Sequence, residues 1–344
     1  MNTQTPTARI EVLEPLRGLA ALAVAWFHFT NGGNLVPAGS WLQRSGAGGW
    51  LGVEVFFVVS GFIIPYSMHR GGYRFPRDAG RFVLKRVLRL DPPYLAAIAL
   101  TVALWYASAL VPGFQGQMPS LTIPQVLAHL GYLNTFLGYD WISPVFWTLA
   151  IEFQYYLLAA IGFTALADER PAVRLAALVV LAGTMFAGAG DAFVFHYAGL
   201  FALGGATFHR RSGLMGDAVY LTVVAALTAA TSLAIGPLVG GVGAATALVI
   251  AYARVPRVPA LSWLGAVSYS VYLLHVPIGG RVVNLGSRFA GDSVSLQLAV
   301  LAAAVGASLV AAVVMYRLVE RPAQRWSSSI QYVRGVPAPV QTAL

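Results

Sequence analysis

Ten stretches of this sequence are long and apolar enough to cross a lipid bilayer, and that count constrains the fold more than any motif does. A helical span needs about 20 mostly apolar residues to cover a hydrocarbon core of about 30 Å. The candidates are 12–30, 50–68, 94–112, 145–166, 172–190, 192–208, 218–234, 237–253, 263–283 and 294–316. An eleventh, 123–138, is short and interrupted by His129 and Asn134. The expected architecture is all-α: a polytopic membrane helix bundle of about ten transmembrane helices, with 123–138 as one short re-entrant or interfacial helix. Only 10% of the 344 residues are charged and 58% are hydrophobic. That balance excludes a soluble globular enzyme, a disordered chain and, despite a formal charge of +9, a nucleic-acid binder.

Basic residues set the orientation, because arginines near span ends stay cytoplasmic. The densest cluster is Arg70, Arg74, Arg77, Arg81, Lys85, Arg86 and Arg89, and Lys85 is the only lysine. With that loop inside and 123–138 not crossing, both termini are cytoplasmic. The later groups at Arg170/Arg174, Arg210/Arg211, Arg254/Arg257 and 317–334 then also fall inside, and only Arg44, Arg281 and Arg288 lie outside. No repeat of fixed period is visible. The expected organisation is a cytoplasmic tail over 1–10, one membrane domain over 11–326 and a second tail over 327–344. The start lacks a small-residue cleavage site and reads as a tail, not a removed signal peptide. The absence of cysteine excludes disulfides, thiolate metal sites and a cysteine nucleophile. No metal site is expected.

Ionisable groups inside spans are costly and mark functional candidates. Four stand out: His28, Glu54, Glu152 and His275. At 1.5 Å per residue they lie roughly 16, 22, 21 and 18 Å from the inner interface, which predicts one shared chamber in the outer half of the membrane. Arg17 and His28 share a helix face, since eleven residues make three turns with roughly 20° left over. One helix thus offers a cation at the inner mouth and an imidazole deep inside, a layout suited to a long anionic substrate. His28 also reads as an interhelical hydrogen-bonding residue, or else as a general base near neutral pH. Glu54 could orient it as a carboxylate orients the imidazole of a triad. For Glu54 and Glu152 an interhelical hydrogen bond is the alternative. Arg86 and Arg89, three apart on one helix face, suit phosphate or a lipid headgroup. Ser268, Tyr272 and His275 form a polar stripe, read as packing or substrate lining. Trp147 and its aromatic neighbours read mainly as belt and packing residues, with Trp147 joining Glu152, Tyr272 and His275 as candidate lining. Ser60-Gly61 reads as a close helix contact.

These residues fall in segments with a familiar order. Leu16-Arg17-Gly18-Leu19-Ala20 with Trp26-Phe27-His28 resembles the first helix of the acyltransferase-3 family of integral membrane O-acyltransferases. The stretches 52–62, Lys85-Arg86-Val87-Leu88-Arg89-Leu90-Asp91-Pro92-Pro93-Tyr94, 146–156, 268–275 and Val319-Glu320-Arg321-Pro322 resemble its later signatures, in order over nearly the whole chain. Asp91 and Glu54 depart slightly from the usual pattern. The resemblance implies transfer of an acyl group, commonly acetyl, from cytoplasmic acyl-CoA as co-substrate, with no bound cofactor. The implied acceptor is a hydroxyl of an exopolysaccharide, lipopolysaccharide or other glycan, or else of a small natural product such as a macrolide. It maps the essential histidine and arginine onto His28 and Arg17, and acyl-CoA binding onto Arg17, Arg86 and Arg89. The setting it implies is a bacterial cytoplasmic membrane, with the lipid bilayer, acyl-CoA and the carbohydrate as partners. No second catalytic domain is expected. Composition alone would serve a carrier of a polar solute or lipid-linked sugar equally well.

Overall fold

The computed structural model describes residues 10–110 and 120–333. Among these the regular structure is entirely helical: α1 (Leu13–Asn31), α2 (Trp41–Gly46), α3 (Gly52–Gly71), α4 (Ala79–Ala109), α5 (Ile123–Leu130), α6 (Trp147–Leu166), α7 (Pro171–Gly183), α8 (Ala198–Arg211), α9 (Asp217–Ala234), α10 (Pro237–Tyr252), α11 (Pro259–Leu274), α12 (Gly280–Ala290), α13 (Val294–Met315) and α14 (Arg321–Ser329). Two π-helical turns, His275–Gly279 and Tyr316–Glu320, join α11 to α12 and α13 to α14 without a break. Six continuous helical stretches are long and apolar enough to cross a membrane, and 171–187 and 237–252 are shorter apolar helices. The chain is a polytopic helical membrane protein.

Hydroxyls scattered along these helices are satisfied locally. Thr101, Ser108, Thr207, Thr231, Thr246 and Ser308 each donate to the carbonyl four residues back. Such back-bonding needs no partner helix. Of the polar groups that bond across helices, Ser60 with Glu152, Thr148 with Tyr272, Ser270 with Glu320 and His28 with His275 lie at the site described below, while Tyr220 joins α9 to Thr207 of α8 and the Ala247 carbonyl of α10 away from it.

Each expected span is carried by helix, with three instructive differences. The helix expected at 94–112 begins at Ala79, so the basic stretch Arg81–Arg89 is helical and continuous with the span through Pro92 and Pro93. At 1.5 Å per residue α4 is roughly 46 Å long, more than the hydrocarbon thickness, so its first turns extend beyond the core. The span expected at 192–208 is helical only from Ala198, and α8 has 14 residues. Every residue from Ala198 to His209 is buried against its neighbours, so α8 meets no lipid and need not match its thickness. Segment 123–138 forms the eight-residue α5, about 12 Å of helix and too short to span, followed by a turn and a single 3-10 turn.

Small residues let the central helices approach closely. A Cβ at Gly61 would collide with the Phe201 carbonyl, and one at Gly204 with that of Val58, so α3 and α8 cross backbone to backbone. This is the contact predicted for Ser60-Gly61. A Cβ at Gly18 would meet Gly265 N at 2.9 Å. Ten residues further along each helix, His28 meets His275. Helices α1 and α11 therefore run parallel and in step, and that register brings the two imidazoles together.

At one end of the bundle, called the basic end below, α14 and residues 330–333 fold back over the start of α4. Ser327 Oγ donates to the Lys85 carbonyl (2.7 Å), and Val333 N–H donates to Asp78 Oδ1 (3.1 Å). Residues 327–333 of the expected C-terminal tail thus pack on α4, and residues 1–9, 111–112 and 334–344, the rest of the expected tails and the end of the span expected at 94–112, lie outside the described residues.

Candidate active site

One cavity opens among α1, α3, α4, α6, α11 and α14 and a second among α1, α4, α12 and the π-turn before it, and they share no lining residue. The lower one, at the basic end, has a volume of about 580 Å³. Arg17 of α1 and Lys85, Arg86 and Arg89 of α4 face it. Their placement follows from local structure: Arg17 sits in the first turns of α1, and Arg86 and Arg89 share a face of α4. Arg86 is buried over the rings of Phe82 (5.2 Å) and Tyr156 (5.6 Å), and its Nη2 donates to Ser67 Oγ at 3.1 Å. Its Nε has no partner in the described structure. Arg17 and Arg89 form no hydrogen bond or ion pair among the described residues.

Three carboxylates line this cavity, Glu14, Glu152 and Glu320, and the last two are engaged by neutral groups. Glu152 Oε1 accepts from Ser60 Oγ (2.8 Å) and Tyr156 Oη (2.5 Å). Glu320, 2% exposed, accepts from Ser270 Oγ (2.5 Å) and Gln324 Nε2 (2.9 Å). Three guanidiniums line this cavity with donors to spare, an arrangement that suits an anion with several oxygens. Above them the wall turns apolar, through Val59, Ile63, Leu149 and Phe56, and ends at Tyr272.

Tyr272 Oη pairs with Thr148 Oγ1 at 2.7 Å, and the Tyr272 ring meets Phe56 edge-on at 5.7 Å. On its other side the ring lies 5.8 Å from His275. His275 is fully buried, and its Nε2 lies 3.3 Å from His28 Nδ1. Beyond it is the upper cavity, about 540 Å³, lined by His28, Trp105, Ser108, Arg281 and Asn284 among others.

The tautomers of the histidine pair follow from their partners. His28 Nδ1 lies 2.9 Å from the Val24 carbonyl, and His275 Nδ1 lies 3.2 Å from that of Val271. A carbonyl only accepts, so both Nδ1 atoms carry the proton. His275 Nε2 is then a bare lone pair that shares the His28 Nδ1 proton. His28 Nε2, also bare, makes no hydrogen bond in the described structure and remains as the base facing the upper cavity.

The predicted site residues separate accordingly. Arg17, Arg86, Arg89, Glu152 and Tyr272 line the lower cavity, while His28 lines the upper one. The single chamber expected from span depth is two, divided by Tyr272, Thr148 and His275. Glu54 lines neither cavity and makes no hydrogen bond to His28; its Oε2 is buried without a partner among the described residues. The structure puts His275 where that carboxylate was expected. Glu54 lies in the first turn of α3, close enough to Tyr197 and to Tyr272 of α11 to act on both electrostatically, and it forms no bond to either imidazole. His275 lies behind His28 and lines no cavity, and Trp147 packs against Tyr197, 5.8 Å between centroids. Sequence reasoning passes over Tyr156 and Tyr269 below and Trp105 and Asn284 above. It uses Lys85 and Arg281 only to set the orientation. Isolated aromatics and amides in apolar helices give no periodic signal that would single them out.

Comparison with known proteins adds an independent line. Residues 11–317 match a family model described as an acyltransferase domain. A Komagataeibacter xylinus protein named putative membrane-bound transacylase BcsY is 28% identical, over 93% of this chain and 84% of its own length. The O-acetyltransferase OatA of Staphylococcus aureus (strain NCTC 8325 / PS 47) is 29% identical over 44% of this chain and 24% of its own. Protein 2 in picA locus of Rhizobium radiobacter is 32% identical over 29% of this chain and 48% of its own. No solved structure matches.

Proposed function

The chain belongs to the acyltransferase-3 family and is a membrane O-acyltransferase, and from that premise we propose that it moves an acetyl group from cytoplasmic acyl-CoA to a carbohydrate hydroxyl presented on the other side of a bacterial cytoplasmic membrane. In this reading the basic end and both termini face the cytoplasm. Arg17, Arg86 and Arg89, with Lys85, hold the phosphates of the donor, and its thioester arm rises along the apolar wall. Tyr272 swings aside to admit the acyl carbon to His28. The acceptor occupies the upper cavity.

His28 Nε2 takes the proton of the acceptor hydroxyl as the oxygen attacks the thioester carbon. The tetrahedral intermediate collapses, the C–S bond breaks, and His28 returns the proton to the departing CoA sulfur. While His28 is an imidazolium, its Nδ1–H donates to the Val24 carbonyl and the His275 lone pair, which spreads the charge. A base of this kind supplies about 10²–10⁴ in rate. The observation that carries the reading is the free Nε2 of His28, fixed in its basic tautomer and turned to a cavity, at the far side of a divider from three unpaired or partly paired guanidiniums.

Purified protein incubated with radiolabelled acetyl-CoA and surface glycans tests this. His28→Ala should lower transfer by about 10²–10⁴ with normal membrane insertion. Arg86→Gln and Arg89→Gln should each raise the KM for acetyl-CoA about tenfold or more. Full activity in the first variant removes the base; an unchanged KM in the second pair removes the donor site.

A further inference from the structure

The upper cavity holds one strong cation, and its surroundings do not neutralise it. All 13 acidic residues of the sequence lie within the described structure, and none is within ion-pair distance of Arg281. Arg281 is half-buried on the first turn of α12. Its Nη1 donates to the Pro277 carbonyl (2.8 Å) and its Nε to Ser108 Oγ of α4 (3.3 Å). A guanidinium carries more donors than these two bonds use, and its Nη2 is left without a partner among the described residues. An arginine facing lipid extends toward headgroups. This one is clamped between two helices, with its free edge on the cavity that His28 lines.

The rest of the cavity has the chemistry of a sugar site. Trp105 offers a broad apolar face, and Asn284 and Ser108 offer short polar groups. A guanidinium fork binds carboxylate or phosphate oxygens in pairs, and an aromatic face packs against the C–H surface of a pyranose.

We propose that the upper cavity selects an acidic acceptor: a sugar bearing a carboxylate or phosphate that docks on Arg281, stacks on Trp105 and so presents a hydroxyl to His28. This inference rests on the acyltransferase reading and adds the charge class of the acceptor to it. The anion fixes one end of the sugar, and the distance from Arg281 to His28 across the cavity then fixes which hydroxyl reacts.

Direct binding tests it without turnover. The full chain in detergent is titrated with methyl glucuronoside, glucose 6-phosphate and neutral methyl glucoside while tryptophan emission is read, with Trp105→Phe as the control that assigns the signal. The two acidic sugars should produce a saturable change that Trp105→Phe abolishes, and the relative strength of the two identifies carboxylate or phosphate. Methyl glucoside should bind about tenfold or more weakly, and Arg281→Gln should bring the acidic sugars to its level. Should Arg281→Gln fail to fold, Asn284→Cys in the otherwise native, cysteine-free chain decides: acidic sugars should slow its reaction with maleimide and methyl glucoside should not. Equal binding of acidic and neutral sugars, or no effect of the acidic sugars on either the tryptophan emission or the maleimide reaction, overturns the proposal. Loss of transfer in His28→Ala together with equal binding of acidic and neutral sugars by the native protein would leave the acyltransferase mechanism standing and remove only the acid preference.

Discussion

The proposed chemistry turns on two imidazoles held in step by a pair of parallel helices. His28 is legible in the sequence because an ionisable side chain at mid-span is expensive, and because it shares a face with Arg17. Its partner is not. Glu54 has the charge and the depth for the orienting role, and depth along a helix axis is what a linear count measures. Direction around the axis depends on how α3 packs against α8, which the sequence reveals only as Gly61. The geometry yields a contrast between two substitutions. His275→Phe should cost about tenfold to a hundredfold in kcat, because the imidazole of His28 loses the lone pair that positions it and misplacement alone costs that much. Exchange of His275 for Gln, which still accepts at a similar reach, should recover part of the loss. Glu54→Gln should change kcat far less, since it leaves the shape intact and breaks no bond to His28. Steady-state acetyl transfer by the three variants checks this, and a Glu54→Gln defect as large as that of His275→Phe would reverse the assignment.

Helices are easier to find than their ends. Apolar length fixes the existence of α3, α6, α9, α10 and α13 within a few residues. The misjudged elements are those for which lipid is not the solvent. Helix α8 is short because protein surrounds it, and α4 is long because its first turns leave the hydrocarbon. The tie between α4 and the C-terminal segment cannot be read either, since it joins residues 255 apart in sequence. Its hub is Asp78, wholly buried, whose Oδ1 accepts from Val333 N–H and whose Oδ2 accepts from Arg74 N–H (3.0 Å) and Arg77 Nη2 (2.9 Å). Burial alone would raise this carboxyl, but the bonds from Arg77, Val333 and Arg74 outweigh it and hold it below the usual aspartate range. A carboxyl lowered in the folded state stabilises fully above its unfolded value of about 3.9, and the contribution fades as pH falls through the folded value. A spin label at Val333→Cys should therefore gain mobility as pH falls below about 4. In an Asp78→Asn background that step should vanish; a label insensitive to acid in the native background would show that Asp78 does not hold the segment.

The whole molecule is asymmetric along the membrane normal. Guanidiniums crowd the basic end, and Arg281 faces the opposite cavity. In the proposed orientation the crowded end faces the cytoplasm, as expected from the arrangement of positive charge in the sequence. The lack of native cysteine makes this directly measurable. In intact cells an impermeant maleimide should label Asn34→Cys at once and Arg74→Cys only after the membrane is opened, both positions being exposed. The converse pattern would invert the donor and acceptor sides. Family, helical class and the cluster Arg17, Arg86 and Arg89 are all accessible from order and spacing along the chain. The division of one expected chamber into two is not, because it depends on the rotamer of Tyr272 and its bond to Thr148.

That bond has a consequence for the cell. A protein that hands a chemical group through a bilayer stands in an insulator under voltage, and an open water column through it would short-circuit the ion gradients on either side. With Tyr272 bonded to Thr148 and His275 buried behind it, the two vestibules of the proposed reaction resemble the paired doors of an airlock, built so that an acyl group crosses without sodium or hydronium in its train.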